Sequence, residues 1–187
     1  ALTERALRVG FRGIDTANQR KHYHEAGVGE AVSNVLEEGL LDREDLFLQT
    51  KFTYESAQDH RLPYDPEAPL SRQVEQSLES SLNHLQTEYV DSLILHGPST
   101  RSGLADADRE VWRTFESLCD TDRVDRVGVS NVSPEQLKRF LQWTEQPISF
   151  VQNRCFARRA WDRPVREICR VHDMTYQGFS LLTANQR

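Results

Sequence analysis

Three residues able to hold or move a proton close short apolar segments, and a fourth lies just beyond one of them. Asp15 closes Gly13-Ile14-Asp15, Lys51 closes Gln49-Thr50-Lys51, and His96 closes Ile94-Leu95-His96. Tyr23 comes after the first of these segments. Three later segments close on neutral hydrogen-bonding or aromatic groups: Val129-Ser130-Asn131, Val151-Gln152-Asn153 and Gly178-Phe179-Ser180. A carboxylate, an ammonium, an imidazole and a phenol on one rim form a proton-transfer set. A phenol's pKa starts near ~10, and a neighbouring cation favours its ionised form. Lys51 is expected to supply that cation while Asp15 holds the amine. The chain has three lysines against twenty arginines, and an amine shifts its pKa where a guanidinium does not. Each group also has a plainer reading. Asp15 can close a turn, Lys51 can snorkel to solvent, His96 can be a turn residue before Gly97-Pro98, and Tyr23 can pack a helix start. Jointly these readings are weaker, because a lysine and an aspartate on adjacent strand ends are costly to desolvate and seldom kept for stability alone. His22 and His24 suggest a metal pair, but no third or fourth ligand is placed with them, and no metal site is expected.

Such a rim requires strands that all end on one side. Short apolar runs at Phe11–Asp15, Leu46–Lys51, Val90–His96, Arg126–Ser130, Phe150–Asn153 and Thr175–Ser180 read as strands. Helical patterns lie between them at about 25–39, 67–86, 107–121, 134–143 and 163–172, after a short helical stretch at 2–9. Leu70, Val74, Ser77, Leu78, Leu82 and Leu85 recur at three- and four-residue spacing, which gives one apolar stripe. Asp65-Pro66 is expected to open that helix and Ser133-Pro134 to open the 134–143 helix, a capping side chain followed by proline in each case. Gly39 is expected to close the helix that begins near Glu25. Strands alternating with helices are parallel, since each helix carries the chain back to the starting edge. Phe52–Asp65 is the one long loop, holding Tyr54, His60, Arg61, Pro63 and Tyr64; loops of that length are usually functional or mobile.

Composition narrows the class. The 187 residues carry 29 acidic and 23 basic side chains, for a net charge of −6, which argues against generic nucleic-acid binding. The length suits one domain with a real core. Cys119, Cys155 and Cys169 are few and widely spaced, as in a reducing compartment. No apolar run approaches the ~18 residues of a membrane span, and the start lacks the pattern of a secretory leader. A cytoplasmic globule is expected.

These motifs resemble the aldo-keto reductase family. Gly10-Phe11-Arg12-Gly13-Ile14-Asp15-Thr16-Ala17 is similar to its glycine, aromatic, Arg-x-Ile-Asp-Thr-Ala signature, which Glu25 through Gly29 continues. Phe47–Lys51 resembles the strand that delivers the family lysine, and Val90–His96 the strand that delivers its histidine. Val127–Asn131 and Val151–Asn153 resemble two strand ends that contact a nicotinamide. The five matches run in family order across nearly the whole chain. The resemblance implies an α/β fold, a parallel (β/α)8 TIM-barrel type with the first strand and the last βα units missing from this chain. Residues 1–187 would be one such domain, partial, in a fragment or trimmed form of a longer protein.

The resemblance also assigns roles. Asp15, Tyr23, Lys51 and His96 would be the catalytic tetrad. The NADP(H) cofactor, with NAD(H) as the alternative, would be held by Thr16, Ser130, Asn131, Gln152, Phe179, Ser180 and Leu182. Among these, Ser130, Asn131 and Gln152 would take the nicotinamide carboxamide, Phe179 would stack on its ring, and Ser180 and Leu182 would lie near the pyrophosphate. An aldehyde or ketone, a small-molecule partner, would be reduced by hydride transfer with Tyr23 as general acid. Substrate choice would lie in Phe52–Asp65 and in the segment after His96. Two departures stand out. The family tyrosine lies five residues past the aspartate and three before the glutamate, whereas Tyr23 lies two before Glu25, with His22 in the three-before place. Tyr23 is still the expected acid, because histidine would leave the phenol's role unfilled. Phe179-Ser180-Leu181-Leu182 stands where Tyr-Ser-Pro-Leu is usual, which keeps a stacking face and loses a hydroxyl. A nucleotide-sensing, non-catalytic relative and an inert fragment remain as alternative readings.

Overall fold

The computed structural model describes residues 2–182. Six helices and six strands alternate among them: α1 (Leu2–Arg8), β1 (Gly13–Asp15), α2 (Glu25–Glu37), β2 (Phe47–Phe52), α3 (Leu70–Leu85), β3 (Val90–Leu95), α4 (Asp106–Cys119), β4 (Val124–Ser130), α5 (Pro134–Trp143), β5 (Ile148–Arg154), α6 (Arg163–Val171) and β6 (Thr175–Phe179). Short 3-10 turns occupy Arg43–Asp45, Glu55–Ala57 and Ala157–Asp162. All six strands are parallel and pair in chain order from β1 to β6. The sheet curls so far that side chains of β2 and β6 meet across its concave side: Gln49 Nε2 donates to Gln177 Oε1 at 2.8 Å, and Gln177 Nε2 donates back at 3.1 Å. This is a partial (β/α)8 barrel.

Alternation along each strand sorts residues into two environments. One set turns outward beneath the helices. Leu93 and Leu95 of β3 and Val127 and Val129 of β4 pack there with Val74, Leu78, Val111, Trp112, Phe115 and Phe140. A smaller cluster of Leu7, Val32, Val35, Leu46 and Leu48 lies under α1 and α2. The other set fills the barrel in layers, as in closed barrels of this type. Phe47 meets Phe150 edge-on at 5.3 Å near the base. The glutamine amides come next, and Lys51 stands at the rim.

Local sequence explains most boundaries. In α3, Val74, Leu78 and Leu85 are buried along the stripe, and Gln86 closes the helix in the left-handed region with its N–H on Leu82 O. At α5, Ser133 Oγ accepts from Gln136 N while Gln136 Oε1 accepts from Ser133 N, a reciprocal cap with Pro134 in the first turn. Gly39, at φ +66°, comes after α2 and donates to Leu36 O. Other boundaries differ from expectation. β1 is only three residues: Phe11 is exposed with its N–H on Ala6 O, and Arg12 reaches β2 only through its carbonyl, which accepts from Phe47 N. α3 begins at Leu70 rather than near 67; the Asp65 carboxylate accepts from Glu67 N and closes a turn before the helix. Strand β3 stops at Leu95, and His96 continues only through its N–H to Phe52 O. Among the described residues, no helix is long and apolar enough to cross a membrane.

Candidate active site

The carboxyl ends of the six strands form one rim, and β1 and β2 bring Asp15 and Lys51 together there. Lys51 Nζ donates to Asp15 Oδ1 at 2.6 Å and to Thr16 O at 2.7 Å. The lysine side chain has no exposed surface, whereas the aspartate, on an edge strand, is 43% exposed. Burial lowers the Lys51 pKa, and Asp15 works against that shift. Asp15 Oδ1 also accepts from Gln49 Nε2 at 2.6 Å. Through Gln49 the carboxylate joins the amide bridge to Gln177, whose Oε1 accepts from Gln152 Nε2 at 3.0 Å. A continuous hydrogen-bonded chain therefore crosses the barrel from Lys51 to Gln152. Gln49 and Gln177 were not foreseen, although each lies two residues before an expected site residue and so on the same strand face.

Tyr23 is brought to this group by the loop between β1 and α2. Lys51 Nζ lies 5.2 Å from the centre of its ring, and the His96 ring meets it edge-on at 5.9 Å. The phenol oxygen hydrogen-bonds to neither Lys51 nor His96, and it has no hydrogen-bond partner among the described residues. Its pKa is raised, first by burial and then by the Asp15 charge. This corrects the expectation that the net shift is downward: burial of the phenol and the nearby Asp15 charge decide the direction.

His96 Nδ1 lies 2.7 Å from Thr53 Oγ1. Its pKa is pushed down to about 4, first by burial and then by Lys51 and His22, with Asp15 opposing. The ring is neutral near pH 7. Thr53 is a further partner that sequence reasoning missed. It directly succeeds β2, in the long loop where Tyr54, His60, Arg61, Pro63 and Tyr64 drew attention instead.

The neutral end groups gather beside His96. Ser130 Oγ donates to Gln152 O at 2.7 Å, and Asn131 Nδ2 donates to His96 O at 2.8 Å and to Ser130 Oγ at 3.1 Å. Asn131 adopts φ +55°, which turns its side chain back over the rim. Asn131 Oδ1 and Gln152 Oε1 accept no hydrogen bond from the described residues. Thr16 is buried and engages Lys51 through its carbonyl. Phe179 ends β6 with the Arg154 guanidinium 5.4 Å from its ring centre. Ser180 comes next in the left-handed region, and Leu182 is 84% exposed; no polar contact joins either to the group around Lys51.

A cavity of about 280 Å³ opens over His96, lined by Gln19, Thr53, Tyr54, Ala57, Pro98 and Asn131. Its walls are tied together by side chains donating to backbone. Gln19 Nε2 donates to Ala57 O and Gln58 Nε2 to Asn18 O, each at 2.8 Å. Tyr54 and Tyr64 hold the long loop instead of facing the cavity with free hydroxyls. Tyr54 donates to the buried Asp108 at 3.0 Å, and Tyr64 donates to Thr53 O at 2.8 Å.

The aldo/keto reductase family model matches residues 1–185. The chain belongs to that family. It is 28% identical over 198 residues to prostaglandin F synthase 1 of Bos taurus, covering 97% of this chain and 57% of that protein. It is 31% identical over 200 residues to deoxymugineic acid synthase 1 of Zea mays, covering 98% and 58%. Among solved structures, an aldo-keto reductase of the silkworm Bombyx mori superposes with a TM-score of 0.78 at 26% identity, over all of this chain and 55% of that one. An aldo-keto reductase complexed with NADPH gives 0.74 at 27% identity, over 96% and 51%. The aldo/keto reductase chain described here thus spans a little over half the length of these relatives.

Proposed function

We propose that this aldo/keto reductase chain reduces an aldehyde or ketone to an alcohol with NADPH, using Tyr23 as the proton donor, and that residues 1–187 act as one domain. The observation that carries the reading is the buried ammonium of Lys51, fixed by Asp15 and Thr16 beneath a phenol ring that also touches a neutral imidazole. A fully buried lysine tied to a half-exposed aspartate adds little to stability, and it stands where a developing alkoxide would need positive charge.

The residues present fit a nicotinamide. Its carboxamide N–H groups need acceptors, and the Asn131 and Gln152 side-chain oxygens are open ones beside His96. The Phe179 ring at the end of β6 offers an apolar surface for stacking, and Ser180 and Leu182, which follow it, would lie near the phosphates. Bound reduced nicotinamide would supply the hydride. The protein residues would do the rest. Tyr23, kept neutral by its raised pKa, would hand its proton to the carbonyl oxygen. Lys51 would stabilise the phenolate left behind, at a distance where a buried charge still acts strongly. Asp15 would keep the amine charged and in place. With Thr53 donating to Nδ1, His96 would carry its proton on Nε2 and hydrogen-bond the substrate oxygen. The cavity over His96 is the place for the substrate's remaining groups.

The test is NADPH oxidation by the full chain with an aromatic aldehyde, alongside NADPH binding monitored by fluorescence. Aldehyde-dependent oxidation supports the reading. Tight NADPH binding with no oxidation at any aldehyde concentration would replace it with a nucleotide-sensing role.

A further inference from the structure

The segment from Arg20 to Glu25 carries Tyr23, and both of its ends meet one side chain of α3. Glu25 is buried, its side chain 3% exposed. Its Oε1 accepts from Thr50 Oγ1 at 2.5 Å and from Ser81 Oγ at 3.1 Å. Its Oε2 accepts from Ser81 Oγ at 3.2 Å and lies 3.2 Å from His84 Nδ1. The other nitrogen of that ring, Nε2, lies 3.1 Å from an Arg20 guanidinium nitrogen. These partners decide the tautomer. A guanidinium can only donate, so Nε2 is the acceptor and carries no proton. Nδ1 therefore bears the proton and donates it to Glu25. Neutral His84 is a two-ended connector, with a donor toward one end of the Tyr23 segment and an acceptor toward the other.

Between those ends the segment has little else to fix it. His22 N and Tyr23 N both donate to Gln19 O, making a turn. His24 precedes α2 without a side-chain cap. Arg61 donates to Arg20 O at 3.1 Å, which again anchors the first end. The Tyr23 side chain is held by ring contacts alone. The Arg20 guanidinium and the Glu25 carboxylate thus set where the phenol hangs over Lys51, and His84 is their common partner. Gly29 lets α2 come close enough for this, since a Cβ there would collide with the backbone of His84 and Leu85.

We propose that His84 is a positioning residue for Tyr23, tying Arg20 and Glu25 to α3 so that the phenol stays over Lys51 and beside His96. The proposal rests on the reading of Tyr23 as proton donor, and two separate signals test it. In the full chain labelled with carbon-13 tyrosine, the Tyr23 ring resonance is assigned by its loss in Tyr23→Phe. His84→Leu keeps bulk and removes both hydrogen bonds. Arg20→Ala cuts the same connection at an exposed residue and guards against a folding failure of His84→Leu. His84→Gln supplies an amide donor and acceptor and serves as rescue.

In both disabling variants the Tyr23 resonance moves toward the position of a free tyrosine while the other four stay, and in His84→Gln it remains. With NADPH and 4-nitrobenzaldehyde, kcat falls about tenfold in the disabling variants, the scale of a sub-ångström to ångström misplacement. KM and NADPH affinity stay within about twofold on the same argument, and His84→Gln recovers kcat. An unmoved Tyr23 resonance in Arg20→Ala and His84→Leu overturns the proposal, as does an equal loss of kcat in His84→Gln. If the resonances behave as expected but the wild-type chain does not oxidise NADPH, the tether stands and the reductase reading fails.

Discussion

Two loops on the rim carry tyrosines, and they use them differently. The loop between β2 and α3 holds Tyr54 and Tyr64, and both hydroxyls are engaged, one on the buried Asp108 carboxylate and one on the Thr53 carbonyl. The loop between β1 and α2 holds Tyr23, whose hydroxyl has no such partner among the described residues although its ring touches Lys51 and His96. Burial raises all three phenol pKa values, so titration alone does not separate them. Hydrogen-bond accounting does. A buried hydroxyl with a fixed acceptor contributes to stability, while one left open beside an ammonium and a neutral imidazole is available for a passing oxygen. The same contrast holds for the carboxylates. Asp108 accepts from Tyr54, Ser99 and Ala105 and orders the loop after β3, whereas Asp15 serves the buried lysine at the rim.

Substitutions can break this contrast. The largest effect is expected from Tyr23→Phe, which should lower kcat for aldehyde reduction by about 10² to 10⁴-fold, the usual contribution of a general acid. Its thermal midpoint and NADPH affinity should match the wild type; unaltered turnover would give the proton to another group. Next is the pH response of His96. Its folded pKa of about 4 lies below the unfolded value, so the unfolded chain binds the extra proton between about pH 6.5 and 4. The stability contributed by the neutral ring is complete above that window and is lost as pH falls through it. Urea unfolding should show wild type losing about 1.4 kcal/mol per pH unit relative to His96→Gln within the window, and equal slopes would refute the buried, neutral assignment.

The loop tyrosines should show the opposite signature to Tyr23. Tyr54→Phe removes a hydrogen bond to a buried carboxylate and should cost about 1.5 to 3 kcal/mol in urea unfolding, with kcat changed less than about threefold if the hydroxyl is structural. Tyr64→Phe removes a bond to a neutral carbonyl and should cost about 1 kcal/mol. A Tyr54→Phe variant that keeps its stability but loses turnover would reverse the comparison and move the chemistry to the long loop.

Much of the scaffold was legible because periodicity reports burial. The stripe from Leu70 to Leu85 and the strand cores Leu48–Lys51 and Leu93–Leu95 appear where alternation or helical spacing places them. Boundaries at β1 and the start of α3 were not legible. Phe11 looks like a strand residue but lies beyond the ladder, and Asp65 looks like a cap but closes a turn of its own. The Asp15–Lys51 pair was foreseeable from two adjacent parallel strand ends. The direction of the Tyr23 shift was not, since it depends on how deeply the fold buries the phenol and on the Asp15 charge beside it.

Residue order alone established the repeating strand–helix pattern, the family membership and the set of polar groups delivered to one rim, because a parallel sheet sends every strand end to the same side. Only the curled sheet decided how those groups meet. Gln49 and Gln177, 128 positions apart, become partners because the barrel brings β2 to face β6. Arg20, Glu25 and His84 become a single connection because α2 lies close against α3. Side-chain geometry across such distances depends on packing and curvature, and spacing along the chain carries no record of either.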